Sequence, residues 1–346
     1  MIRNVSYRVD VLRRGVAHTQ LLFDTAEPPN IIASKSAEIQ TSFSGTFRAN
    51  SAVDWLSDEL QPVMILDGVE HPLGIYIPTT VQQIYGESGA SVAVEAYDRS
   101  YRLQEAALES RRTFAAGTRY TDVVGQMLTE AGIALQLVEP SMLTLATDRE
   151  DWDLGTPYLR IINQLLGEIN YDPIWLDSRG FAHAEPYRAP DAARIAHSYS
   201  ASDLLQEPLA EEATAALDVF GRANVFVVRC SNPDLAAPLV ATAVNDNPLS
   251  SLSTVRRGRR IVAVSQVDQI ASQAALQAYA DRLCNESMLA TQQIQLSTLN
   301  EPGHGLGDVI AVDHPGFSGI YEETGWSMSL GVGQLMTHEA RKVVII

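Results

Sequence analysis

His338 is followed directly by Glu339, the opening of a zinc-protease helix motif in which a second histidine shares the metal and the glutamate activates water. The position for that second histidine holds Lys342, after Ala340 and Arg341, so the pair predicts no zinc site. His304 and His314 stand among glycines, with no cysteine or third histidine at ligand spacing, and are expected in surface turns. Gly303, Gly305 and Gly307 alternate around His304 and Leu306, but no Lys-Ser/Thr pair follows to hold a phosphate. Gly316-Phe317-Ser318-Gly319 lacks the Gly-x-Ser-x-Gly spacing of a nucleophile elbow and reads as a turn. The acidic run Asp148, Glu150, Asp151 and Asp153 departs from a calcium-loop pattern and is expected in a solvated loop. Arg256, Arg257, Arg259 and Arg260 around Gly258 form the only concentrated positive charge, expected in a loop leading to a strand at Ile261. A phosphate or an acidic partner is the alternative occupant of that cluster. No catalytic, cofactor-binding or metal-binding residue is assigned, and no enzyme is expected.

Composition narrows the field further. The chain has 346 residues, 46% hydrophobic and 19% charged, which is globular and fits two or three domains. Cys230 and Cys284 are too few for a disulfide framework and are expected as buried free thiols. No apolar run approaches the roughly 18 residues of a membrane span. The amino-terminal residues lack a signal peptide's apolar centre, so a soluble chain folded in a cytoplasm is expected. A net charge of −17 argues against sequence-specific nucleic-acid binding.

The elements that would position any site are mostly strands. Val5, Tyr7, Val9 and Val11 alternate with polar residues, as do Ile39, Thr41 and Phe43, and Val92, Val94 and Ala96. Arg14-Gly15 punctuates, and Asp67-Gly68 between apolar runs at 63–66 and 69–77 predicts a type I′ hairpin. Thr121 is the expected cap of a helix carrying Val123, Val124, Met127, Leu128 and Ala131, stopped by Gly132. Thr156-Pro157 opens a second helix, with Ile161, Ile162, Leu165, Leu166 and Ile169 on one face. A hairpin follows at 171–184. Strands are then expected at 224–229 and 261–267, an amphipathic helix at 272–286, and strands at 291–296, 309–312 and 342–346. The predicted class is α+β, mainly β, with two small β-barrel domains flanking an α/β domain. The boundaries fall at 1–105 for the first barrel, 106–189 for the α/β insertion with two helices, and 190–346 for the second barrel with one amphipathic helix.

The order of these features resembles the baseplate hub family of long-tailed bacteriophages and related contractile injection systems. The carriers are the strand 92–98 ending in Asp98 and followed by Leu103, then the segment from Thr121 to Gly132. After it come the Trp-containing stretch 151–154, the helix 157–169, and Tyr171, Ile174, Asp177 and Gly180. Farther on, Asn224-Val225-Phe226-Val227, the loop 245–250 with Pro248 and the alanine-rich helix from Ala271 to Leu283 take part. The closing segment is Gly307-Asp308-Val309-Ile310, Gly319-Ile320-Tyr321, Met336 and Arg341.

The resemblance implies a structural protein without cofactor: a homotrimeric ring with pseudo-sixfold symmetry joining a hexameric tail tube to a trimeric spike or tip and letting DNA pass. The implied partners are the tube or distal tail protein, the spike or tip protein and the tape measure protein, with no direct membrane insertion. The implied location is the virion tail tip, and the host cytoplasm during assembly. A hub of a tailocin or extracellular injection system, or a tail-associated cell-wall hydrolase, are the alternatives.

Overall fold

The computed structural model describes residues 4–86, 89–202, 207–210, 212–217, 222–231, 238–267, 269–270, 272–289 and 292–343. The expectations that fall on residues 1–3, Ala271, Thr291 and 344–346 lie outside the described residues. The fold is α+β and mainly β, as expected.

Eight strands open the chain: β1 (Val5–Arg13), β2 (Val16–Leu21), β3 (Asn30–Ser34), β4 (Thr41–Arg48), β5 (Glu59–Leu66), β6 (Val69–Pro72), β7 (Tyr76–Gly86) and β8 (Gly89–Asp98). Asp67 and Gly68 have φ of 50° and 84°, the positive pair that a type I′ turn requires. The apolar run after this turn is not one strand. Pro72 has no N–H to extend the ladder, Gly74 turns at φ 122°, and the chain leaves β5 to pair with β8 as β7. The order is β3-β4-β8-β7-β5-β1-β2, and the sheet curls back on itself. Phe23 beyond β2 bridges Phe47 of β4, while the Arg48 N–H donates to the Leu22 carbonyl at 2.8 Å. Inside lie Val9, Leu21, Phe43, Phe47, Leu60, Met64 and Tyr76, all buried.

The next stretch folds around its own core. It contains α1 (Tyr101–Glu105), α2 (Tyr120–Glu130), β9 (Gln136–Val138), α3 (Tyr158–Glu168), β10 (Trp175–Leu176) and β11 (Ala182–Ala184). Val123, Val124, Met127 and Leu128 of α2 meet Leu159, Ile161, Ile162, Leu165 and Leu166 of α3, the spacing that puts one stripe of each helix in the core. The α2 cap is Arg119 and Thr121 sits in the first turn; Pro157 is itself the α3 cap.

The remaining elements are β12 (Ile195–Ser200), β13 (Glu207–Pro208), β14 (Thr214–Leu217), β15 (Val225–Cys230), β16 (Leu239–Val244), α4 (Thr254–Arg257), β17 (Val262–Val267), α5 (Gln273–Leu289), β18 (Gln292–Leu299), β19 (Val309–His314), β20 (Phe317–Ser329) and β21 (Leu335–Lys342). Strands β12-β19-β20-β21-β18 form a ladder whose ends approach through the Leu209–Thr298 bridge. Tyr199, Ile294, Leu296, Ile310 and Tyr321 fill it. A separate sheet, β16-β15-β17, packs Phe226, Val228, Ala241 and Ala243 against Leu276 and Ala280 of α5. Cys230 and Cys284 are buried in that layer and not joined in a disulfide, and burial pushes the Cys284 thiol up to about 11.

One strand joins the two curled sheets. The first part of β20 pairs with β19, and the part from Gly325 to Ser329 pairs with β3, while β21 runs along the other side. Met328, Leu330 and Met336 thereby enter the amino-terminal core.

Candidate functional site

The hydrophobic clusters meet around a cavity of about 840 Å³, and ion pairs between distant parts of the chain line it. Lys35, just past β3, places Nζ 2.7 Å from Glu322 of β20, whose other oxygen accepts from Arg341 Nε of β21 at 2.6 Å. Burial pushes the Glu322 carboxyl up, but Lys35 and Arg341 more than reverse this and hold it below the usual carboxylate range. Across the cavity, Arg282 of α5 reaches Asp172 at 2.8 Å and the Tyr171 carbonyl at 3.0 Å, with its guanidinium 4.3 Å from the Tyr187 ring centre. Asp172 is raised by burial in spite of Arg282. These contacts tie the α2–α3 unit to the carboxy-terminal layer.

Strand β20 explains how acidic side chains come to lie on both faces at one place. Consecutive strand residues point to opposite faces, so Glu322 and Glu323 diverge by ordinary alternation, and the bulge between Glu323 and Gly325 comes only after them. Glu322 turns toward the cavity, and Glu323, two residues from Tyr321, turns into the carboxy-terminal ring. There Glu323 Oε2 lies 3.0 Å from His304 Nδ1, and Oε1 lies 2.5 Å from His338 Nδ1. The outer ring nitrogens are also engaged: His304 Nε2 with Tyr199 Oη at 2.8 Å, and His338 Nε2 with Thr298 Oγ1 at 2.7 Å. His197 stacks on His304 with ring centres 4.1 Å apart. The side chains of Glu323 and His338 are 0% exposed and that of His304 1% exposed, while His304 and Asp308 also border the cavity. Asp308 is raised by burial, and its Oδ2 accepts from the Gly305 N–H at 2.7 Å.

Two expectations about histidine change here. His304 is not a surface-turn residue, because its ring is enclosed by Tyr199, His197 and His338. His338 lies in strand β21 instead of a helix, as the missing second histidine requires, yet it meets two other titratable groups. The partner glutamate comes from position 323, a carboxylate inside an otherwise strand-like run, which was the one available signal. His314 is the last residue of β19, paired with Phe317 at the edge of the expected turn, and its Nδ1 accepts at 3.1 Å from the N–H of Gly316 in the tight β19–β20 connection.

The other singled-out residues have structural partners. Asp151 pairs with Arg149, which is also held by Glu168 at 2.7 Å; Asp148 Oδ1 accepts from the Ala116 N–H at 2.8 Å. The four acids of that run are exposed, as a solvated loop requires, and the buried member of the segment is Arg149, held by Glu168. Among the arginines, Arg256 and Arg257 form the one-turn helix α4 capped by Ser253 Oγ, with Gly258 left-handed at φ 62°. Arg257 donates to the Arg222 carbonyl at 2.9 Å, and Arg256, Arg259 and Arg260 are exposed. The structure brings none of these to the histidine cluster.

No family model and no curated protein matches the chain. Solved structures do. A tail protein from Neisseria meningitidis MC58 superposes with a TM-score of 0.68 at 12% identity, covering 97% of both chains. The 43 kDa tail protein of prophage MuSo2 from Shewanella oneidensis gives 0.69 at 11% identity, over 97% of this chain and 98% of that one. An E. coli component of the type VI secretion system, c3393, gives 0.53 at 13% identity over 96% of this chain and 77% of that one. At these identities the likeness is one of fold, and it extends along nearly the whole chain: this protein has the fold of phage tail proteins.

Proposed function

We propose that this chain is the structural hub of a phage tail tip or baseplate, a homotrimer that joins the hexameric tail tube to a trimeric spike or tip. The observation that carries the reading is the pair of curled β-sheets in one chain, spliced through β20 into a single ladder. Two such sheets per subunit and three subunits per ring present six comparable surfaces, which matches a threefold part to a sixfold tube. The domains follow from the same reading: 1–105 and 190–346 form the tube-facing ring, and 106–189 points away from it toward the tip. The coverage of 97% of each chain with a Neisseria tail protein supports a tail role for the whole chain and not for one module. The virion is then its place of action, after assembly in the host cytoplasm, beside tube, tip and tape measure proteins, with DNA passing through the ring.

The reading needs no catalysis. The cavity is lined by paired charges, and its Lys35, Arg341 and Arg282 are held by Glu322 and Asp172. The likeness to a type VI secretion component favours one second reading: the same hub in a contractile injection system that delivers protein instead of DNA. Light scattering on tail tips assembled with this chain tests the first reading. Threefold stoichiometry is expected, and a single copy per tip would overturn it. Removing 106–189 should leave tube attachment intact and prevent joining of the tip; loss of tube attachment alone would reverse the assignment.

A further inference from the structure

In one tautomer of His338 the hydrogen bonds around Glu323 are one positive charge short. Thr298 Oγ1 lies 3.0 Å from the Leu299 carbonyl and 2.7 Å from His338 Nε2; when its hydrogen goes to the carbonyl it is the acceptor toward the ring, which then carries hydrogen on Nε2. A neutral ring of this tautomer presents a lone pair at Nδ1. That lone pair faces Glu323 Oε1 at 2.5 Å, and the carboxylate also offers only lone pairs. The two repel unless a cation lies between them.

We propose that His304 Nδ1, a Glu323 carboxylate oxygen and His338 Nδ1 bind a divalent transition-metal ion of the zinc type. The ligand atoms of these three residues all lie within 4.8 Å of one another. Two imidazoles and one carboxylate make a zinc donor set, whereas calcium and magnesium select oxygen. Ligand atoms ~2.0 Å from a tetrahedral ion stand about 3.3 Å apart. His304 Nδ1 and His338 Nδ1 approach different oxygens of Glu323, at 3.0 and 2.5 Å, and side-chain shifts that open both gaps make room for the shared ion. Tyr199 and Thr298 occupy the outer nitrogens, the support that orients metal-bound histidines and fixes their tautomer. The cavity bordered by His304 and Asp308 gives the ion a way in, and water completes the fourth position. With Glu323 and His338 fully buried, the ion has a structural role: it fastens β20 to β21 and to the 303–307 turn.

The test uses the untagged full chain, stripped with EDTA and then dialysed against zinc chloride. One equivalent of zinc per chain is expected by elemental analysis, with a higher melting midpoint than the stripped chain. Cobalt in place of zinc should give the visible absorption of a four-coordinate site. Thr298→Val, checked for folding by circular dichroism, should weaken zinc binding about 10- to 100-fold by removing the outer support of His338. His338→Gln should abolish stoichiometric binding. Sub-stoichiometric zinc with an unchanged midpoint, or equal binding by His338→Gln, would overturn the proposal. Histidine nitrogen resonances showing a doubly protonated His338 in the zinc-treated chain would do the same and assign the gap to a proton. Zinc content is read on the isolated chain, so a negative result leaves the hub reading untouched.

Discussion

Arg149 and Glu168 show how much of this molecule's chemistry is structural. Their side chains are 3% and 5% exposed and joined by two hydrogen bonds of 2.7 and 3.0 Å, between the loop before α3 and the end of that helix. Removing one partner leaves a buried charge, so Glu168→Ala should cost about 3–5 kcal/mol in urea denaturation. Replacing both, as Arg149→Met with Glu168→Leu, should cost clearly less, since no orphan charge remains. Glu322 predicts a pH dependence. Its folded carboxyl titrates below its unfolded value, so the stability it adds is complete above roughly pH 4.3 and is lost as pH falls through the folded value. Glu322→Gln should flatten that acid limb of the urea midpoint; an unchanged limb would show that Lys35 and Arg341 contribute nothing there. Neither residue was legible as a site in the sequence, because ion pairs such as Lys35–Glu322 join positions far apart in the chain. What the sequence did carry was the local chemistry, such as the positive-φ pair at Asp67-Gly68 and the burial of Cys230 and Cys284.

At the scale of elements, periodic segments were legible and compromised ones were not. Helices α2, α3 and α5 and strands β4, β8, β15 and β17 all lie where alternation or a helical stripe indicated them. Strand β20 escaped because Gly319, Gly325 and the adjacent Glu322-Glu323 break its period, and the structure gives the reason: it changes partner midway, from β19 to β3. Helix α4 escaped because a single turn held by the Ser253 cap has no stripe to read. Strand β16 is short, and in the sequence it is a small apolar run between Pro238 and Asn245 with almost no polar alternation to read. The partner change makes Gly325 sensitive. A Cβ there would stand 3.1 Å from the Ala33 carbonyl and 3.4 Å from Glu339 Oε2. Gly325→Val should therefore destabilise the chain by about 1–3 kcal/mol through overpacking. Hydrogen exchange should localise the damage, with amides of β3 and the second half of β20 losing protection before those of β19. Uniform loss across both curled sheets would mean that the two already unfold as one unit.

At the scale of the whole molecule, the net charge of −17 bears on the proposed ring, through which DNA would pass. Fields of this sign repel phosphate, and at 0.1 M salt they act over about 10 Å, enough to matter at a channel wall and little beyond it. An acidic wall keeps DNA from adhering during ejection, whereas arginines on that wall would bind phosphates and slow it. Many acidic groups are already committed inside the chain: Glu322, Glu323, Glu168 and Asp172 are paired with cations or histidines. The carboxylates that face the channel must therefore come from the exposed remainder. Arg256, Arg259 and Arg260 are exposed at the end of α4 and before β17, in the layer that packs on α5 and outside the strands of either curled sheet. If the rings face the tube and channel, these arginines lie off the wall. Two measurements check this. The purified chain should fail to shift duplex DNA in a gel at low salt, and a density map of the assembled ring should show carboxylates outnumbering arginines along the channel. A salt-sensitive gel shift that disappears in an Arg256→Glu, Arg259→Glu, Arg260→Glu variant would place the cluster on the path of DNA and overturn the idea of a repelling channel.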